Sequence, residues 1–284
     1  MLEDLRRKKQ LHILIQLALD EDLGRGDATE ELFSPIQGHW QLKARQAGIF
    51  CGAEVASELF SQSQLPIETL FHKKNGESFV AGELLQEYRG PSSLLSVERI
   101  LLNILQHLCA ISSETGRWVN TLNNSNCQIL DTRKTTPAWR YLEKYAVLCG
   151  GGHNHRMALD DAIMIKDNHH ARQGNPKGDK LTQWITEIVQ QANVPVIVEV
   201  ESSEDCLATA KAFPTVILLD NMSVEELRDC VAGIKKMGSS VLLEASGGIT
   251  LDRLEEIANT GVHRISVGAL TQNPPRIDLG LDAL

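Results

Sequence analysis

The sequence has no Cys-x-x-Cys spacing anywhere in its 284 residues, and its six cysteines stand far apart, most of them inside apolar runs. That spacing argues against a disulfide framework or a zinc site, and for buried thiols in a reducing cytosol. Aromatic residues are scarce, at 5%, and 28 Lys and Arg are outnumbered by 37 Asp and Glu, for a formal net charge of -9. Binding to nucleic acid needs a basic surface and aromatic platforms, so no nucleic-acid partner is expected. Nor does any stretch approach the roughly 20 apolar residues of a membrane span, so no membrane segment is expected. Arg6-Arg7-Lys8-Lys9 followed by LHILIQLAL imitates a secretory signal. His12 and Gln16 interrupt that run, however, and Asp20-Glu21-Asp22 follows without a small-residue cleavage site. An amphipathic first helix in a cytoplasmic protein is the better reading.

What is present describes an ordinary globular chain, 42% hydrophobic and 23% charged, long enough for one large or two modest domains. Residues 2–19 repeat Leu11, Leu14, Ile15 and Ala18 at helical spacing. Gly24 and Gly26 break that helix, and Asp27 with Glu30 offers a capping box for a short one. Between His39 and Gln46 apolar and polar residues alternate as in a half-buried strand. AEVASELF reads as a helix, and IETLFH and ELLQEYR as strands with Asn75-Gly76 turning between them. Gly90-Pro91-Ser92-Ser93 opens a long helix with a serine available as N-cap. Its polar face carries Arg99, Asn103 and Gln106, where an arginine is ordinarily just solvated.

After about residue 112 short apolar runs alternate with helical patterns: CQIL, AIMI, PVIVEV, TVILL, SVLLEA and VHRISV. This predicts parallel β/α units. The runs end on Asp131 to Lys134, Lys166-Asp167, Glu199 and Glu201, Asp220-Asn221, Ser246-Gly247-Gly248 and Gly268. Functional residues on nearly every strand end favour a (β/α) barrel over an open doubly wound sheet, and with six or seven strands an incomplete one.

The stretch from Ile129 to Arg172 gathers four of the nine histidines with Arg133, Lys134, Arg156 and Lys166. In an acidic chain such a cluster suggests a pocket for a small polyanion, and the cations could neutralise two carboxylates. His153, His155, His169 and His170 could alternatively hold a metal, although the neighbouring cations would repel one. Glu199 and Asp220 end neighbouring strands; they suit Mg²⁺ carried by a phosphorylated substrate, or ribose hydroxyls, or are simply solvated. The glycine-rich ends EASGGIT and VGALT fall where barrels bind phosphate, unless they merely turn the chain.

LDTRKTTP, LEKYAV, CGGG, NHRM, IKDNH, LLDN, EASGGI and VGALT, in this order, resemble the quinolinate phosphoribosyltransferases, as do LALDEDLGRGDAT, AGIFCG and PSSLLSVERILLNILQHL. The resemblance covers essentially the whole chain. It implies an N-terminal α/β sandwich (residues 1–111) and an incomplete, about seven-stranded β/α barrel (112–270), with a tail (271–284) that could pack back on the first domain. It further implies transfer of phosphoribosyl from phosphoribosyl pyrophosphate to quinolinate with Mg²⁺, giving nicotinate mononucleotide, pyrophosphate and CO₂ in NAD biosynthesis. By motif position Arg133, His155, Arg156 and Lys166 would hold the quinolinate carboxylates, with Lys134 near the reacting groups. Arg99 would reach into the partner's site in a homodimer or larger assembly. Glu199 and Asp220 would meet the magnesium-bound substrate, and Ser246, Gly247, Gly248 and Gly268 its phosphate. Gln272 stands where the family commonly has histidine; it can donate a hydrogen bond to phosphate but carries no charge. The alternatives are a cousin of the same fold acting on another small acid, or a non-catalytic sugar-phosphate sensor.

Overall fold

The computed structural model describes residues 2–34, 36–122 and 126–284. The chain forms two compact units: Met1–Gly116 with Thr135–Gly151 and Ala269–Leu284, and Arg117–Lys134 with Gly152–Gly268.

The first unit is built on an antiparallel sheet. Its strands are β1 (Gln37–Ala44), β3 (Glu68–His72), β5 (Leu84–Pro91) and β12 (Leu279–Ala283), in the order β12-β1-β5-β3; β2 (Gly48–Ile49) and β4 (Ser78–Phe79) form a separate pair. Trp40, Leu42 and Ala44 alternate inward along β1, as the sequence pattern requires. β4 lies between β3 and β5, so Asn75-Gly76 does not close a tight hairpin. Instead Asn75 Oδ1 accepts from the amides of Gly52 and Ala53, at 2.8 and 3.0 Å. The helix Leu2–Leu23 buries Leu11, Ile15 and Leu19, one residue per turn, and Gln10 Oε1 accepts from the amides of Tyr141 and Leu142 at the start of the helix Arg140–Cys149. Asp27 caps a single 3₁₀ turn (Glu30–Leu32) through the amides of Thr29 and Glu30, and its other oxygen accepts from the Ser96 hydroxyl at 2.7 Å.

Two expectations need correction here. The long helix does not begin on a serine cap: a 3₁₀ segment (Ser92–Val97) behind Pro91 leads into the α-helix Glu98–Thr121. By length and composition Ser92–Thr121 could cross a membrane, but 61% of its apolar window is buried within the protein. Leu101, Leu105, Leu108 and Ile111 are wholly enclosed, which marks a core helix. The same helix runs unbroken through residue 111, and the two units divide within it at Gly116. The first unit also takes in residues 135–151, because the helix Arg140–Cys149 packs on the first helix.

The second unit is a parallel sheet of β6 (Gln128–Leu130), β7 (Ile163–Ile165), β8 (Val196–Val200), β9 (Val216–Asp220), β10 (Leu242–Ser246) and β11 (Arg264–Ser266), ordered β6-β11-β10-β9-β8-β7. A parallel bridge between Leu130 and His153 adds a one-residue seventh member on the free side of β6. The connecting helices include Gly178–Gln191, Ser203–Ala210 and Val224–Lys236. The last two are capped by Ser202 and Ser223, the latter in a reciprocal box with Glu226.

Period-two alternation positions the site. On one face of the sheet Ala162, Ile197, Val216 and Leu218 pack together with Met164 and Leu242. Two residues further along the same strands, on the same face, come Lys166, Glu199, Asp220 and Glu244, with Ser246 following Glu244. The opposite face buries Val196, Val198, Val200, Ile217, Leu219, Leu243 and Ala245. Burial on both faces is why these strands read as continuous apolar runs.

Candidate active site

The strand ends of the parallel sheet deliver polar residues at two successive levels: Lys166, Glu199 and Glu244 stand level with Leu218, and Asp220 and Ser246 come two residues further on. Ser246 lies beside Asp220 in register, and Glu199 beside Leu218. Lys166 follows Ile165, the partner of Val198, so it stands level with Glu199, and its Nζ reaches Glu199 Oε2 at 3.0 Å. Lys166 also opens a six-residue helix (Asp167–Arg172), where its amide donates to His169 Nδ1 at 3.0 Å. Asp220 accepts from Asn221 Nδ2 at 2.7 Å, which fixes its carboxylate. Asp167, Lys177, Glu199, Glu201 and Asp205 line a groove of about 300 Å³ at this end of β8.

The loop after β10 is shaped by two glycines in the left-handed region, Gly247 at φ +93° and Gly248 at φ +54°. A Cβ on Gly247 would come within 2.2 Å of Asn221 Oδ1, so only glycine allows this approach, and the Asn221 amide donates to Ser246 O at 2.9 Å. The Gly248 position is open. Gly268 follows β11, whose successor Val267 donates to Leu130 O at 2.9 Å.

Cations occupy the other side. Arg133 and Lys134 follow β6, and the Thr132 hydroxyl accepts from the Lys134 amide at 3.0 Å. Arg156 is half-buried and donates through Nη1 to Ala162 O at 2.8 Å, while its Nε is enclosed without a hydrogen-bond partner. Burial first, and then the charge of the neighbouring Arg133, push the Arg156 guanidinium below its ordinary pKa. Two guanidiniums held close against their mutual repulsion concentrate positive charge on this side.

The histidines have separate tasks. His153 makes the sheet bridge, and His170 packs edge-on against Trp184 with centroids 5.2 Å apart. His155 is buried with its ring turned inward: Nδ1 accepts from the Arg156 amide at 2.8 Å and Nε2 faces Glu244 Oε1 at 3.4 Å. As it stands, this ring does not present a nitrogen to a ligand. Beneath it Asp131, wholly buried, accepts from the His155 amide at 2.9 Å. Asp131 as a strut and Glu244 as an acid inside the sheet escaped the sequence reading; Glu244 left a signal, since it interrupts the apolar run VLLEA at an inward position. The other two anticipated residues belong to the first unit. Arg99 is exposed on the helix Glu98–Thr121, and Gln272 is exposed at the end of the four-residue helix Ala269–Gln272.

An incomplete β/α barrel with paired guanidiniums, paired carboxylates and a two-glycine phosphate-type loop at its strand ends defines a transferase-like site for anionic substrates. Comparison with known proteins narrows this class. The family models described as quinolinate phosphoribosyl transferase, N-terminal domain and C-terminal domain match residues 27–109 and 111–282. The chain is 38% identical to a probable nicotinate-nucleotide pyrophosphorylase (carboxylating) of Bacillus subtilis, over 96% of this chain and 93% of that one. It is 36% identical to the enzyme of that name from Mycobacterium leprae, over 94% and 95%. The solved nicotinate-nucleotide pyrophosphorylase of Francisella tularensis superposes with a TM-score of 0.89 at 33% identity, covering 97% of this chain and 96% of that one. The chain belongs to the quinolinate phosphoribosyl transferase family.

Proposed function

We propose that the protein transfers phosphoribosyl from phosphoribosyl pyrophosphate to quinolinate with loss of CO₂. The carrying observation is the Arg133–Arg156 pair: one carboxylate does not require two adjacent guanidiniums, whereas a vicinal dicarboxylate does. Lys166, held by Glu199, completes the clamp on the second carboxylate. Lys134 lies beside the reacting groups, and Ser246, Gly247, Gly248 and Gly268 receive the 5-phosphate through main-chain amides.

Glu199 and Asp220 suit Mg²⁺. Both are hard oxygen donors on adjacent strand ends, and among the described residues no group of three or more His, Cys, Asp or Glu could hold an ion alone. An ion shared with substrate phosphates is therefore the better fit, and when bound it supplies positive charge to the departing pyrophosphate.

The clamp holds the pyridine nitrogen against C1 of the ribose, so that its translational entropy is already lost. The nitrogen attacks C1 as the C1–O bond to pyrophosphate breaks, and pyrophosphate leaves with the electron pair. The cationic ring then accepts the electrons of the C2–carboxylate bond as CO₂ departs, and C2 takes up one proton. Lys134 and the guanidiniums stabilise charge throughout, and no side-chain nucleophile is required. Arg99, exposed and on the same helical face as Asn103, would enter the site of a second copy in a homodimer. All six cysteines are free thiols and four are buried, which suits the reducing cytosol.

The test offers quinolinate and nicotinate in parallel with phosphoribosyl pyrophosphate and Mg²⁺. Nicotinate mononucleotide from quinolinate alone is the expected result. Equal turnover of nicotinate would move the function to a cousin enzyme, and turnover of neither to a sensor.

A further inference from the structure

A buried carboxylate stands level with Lys166 and Glu199 in the register of the sheet. Glu244 lies in the middle of β10, wholly buried, beside Leu218 of β9 and Arg264 of β11. Its Oε1 is 3.4 Å from His155 Nε2, and its Oε2 is 3.7 Å from Arg264 Nη1. Asp131 from the end of β6, Cys127 just before β6, and Ser266 of β11 also face it. Burial raises the Glu244 carboxyl from 4.5 to about 7; Asp131 adds to the rise, while the Ser266 hydroxyl and Arg264 oppose it.

The hydrogen bonds assign the state of His155. A main-chain amide can only donate, so Nδ1, which accepts from the Arg156 amide at 2.8 Å, carries no proton. The ring proton therefore sits on Nε2, 3.4 Å from Glu244 Oε1, a carboxylate oxygen enclosed without a hydrogen bond of its own. His155 is neutral, held from below by Asp131 through its own amide, and it supports the main chain of Arg156.

We propose that Glu244 is a positioning residue for the dicarboxylate: it fixes His155 as the neutral Nε2–H tautomer, and His155 in turn sets Arg156 against Arg133. The inference rests on the quinolinate reading above for its substrate, but its structural half does not. A protonated Glu244 and a glutamine can each still accept the same N–H through a carbonyl oxygen; methionine fills the space and accepts nothing.

Two variants, Glu244→Gln and Glu244→Met, separate this from a packing role. Glu244→Met is expected to raise KM for quinolinate about tenfold, as loss of a supporting partner does, with KM for phosphoribosyl pyrophosphate unchanged. Glu244→Gln, which keeps a carbonyl acceptor, is expected to keep the wild-type KM for quinolinate. A wild-type KM in Glu244→Met, or a KM in Glu244→Gln raised as far as in Glu244→Met, would overturn the proposal. The tautomer is read without substrate from the ¹⁵N shifts of the His155 ring, assigned by comparison with His155→Gln. An unprotonated Nδ1 that persists in Glu244→Gln and is lost in Glu244→Met is expected, and a protonated Nδ1 in the wild type would overturn the proposal. If the wild type fails to use quinolinate at all, the substrate reading falls while the spectrum still decides the pair.

Discussion

Arg133 and Arg156 sit side by side in a chain whose formal net charge is -9, so the local positive potential is made by placement and not by composition. Removing Arg133 relieves a repulsion on Arg156 that Asp161 opposes. Arg133→Ala should raise KM for quinolinate about a hundredfold, with a melting temperature equal to or above that of the wild type. Kinetics and a thermal scan on one preparation check both halves, and a large fall in melting temperature would contradict the account. Glu244 gives a second residue-level consequence. Its folded pKa, about 7, lies above its ordinary 4.5. The neutral carboxyl is therefore favoured by folding, and this contribution is complete below the unfolded value and lost as pH rises through the folded one. Relative to Glu244→Gln, the wild type should lose roughly 2 to 3 kcal/mol of stability between about pH 5 and pH 8. Urea unfolding of both proteins at the two pH values measures it, and a constant difference would contradict the assignment.

Strand ends organise the element scale. Lys166, Glu199 and Asp220 were legible in the sequence because each terminates an apolar run, and in parallel β/α units such termini share one end of the sheet. The gathering of Arg133 with Arg156 was read from the cations in one stretch, but the placement behind it was not legible. It depends on the one-residue bridge of His153 to Leu130, too short to leave any periodic signal. The inward ring of His155 was hidden for the same kind of reason, since the acid that faces it comes from a strand about 90 residues later in the chain. The boundary expected near residue 111 lies within the helix Glu98–Thr121, in which the two compact units also divide, at Gly116. Glycine was legible as a turn after β10, but the need for it differs between neighbours. Gly247→Ala puts a Cβ 2.2 Å from Asn221 Oδ1, whereas Gly248→Ala meets open space at φ +54°. Gly248→Ala should therefore cost about 1 kcal/mol for the left-handed backbone, and Gly247→Ala about 2 to 3 kcal/mol. Denaturant unfolding of the two variants tests the order, and equal losses would contradict the close approach.

At the scale of the whole molecule, Arg99 belongs to the first compact unit while the clamp and the phosphate loop belong to the second. If Arg99 serves the partner's site, then Arg99→Ala and Arg133→Ala are each inactive alone, yet complement when mixed. A mixed dimer keeps one intact site of two, so random exchange of equal amounts should restore about a quarter of the wild-type activity. No recovery after verified subunit exchange would place Arg99 in its own chain's site or in none. The clamp, the transfer and the decarboxylation are joined most directly by one measurement: turnover of quinolinate labelled with ¹³C in the 2-carboxylate. The account predicts labelled CO₂ and pyrophosphate in equal amounts, with unlabelled nicotinate mononucleotide. Label retained in the nucleotide, or CO₂ released without pyrophosphate, would contradict it.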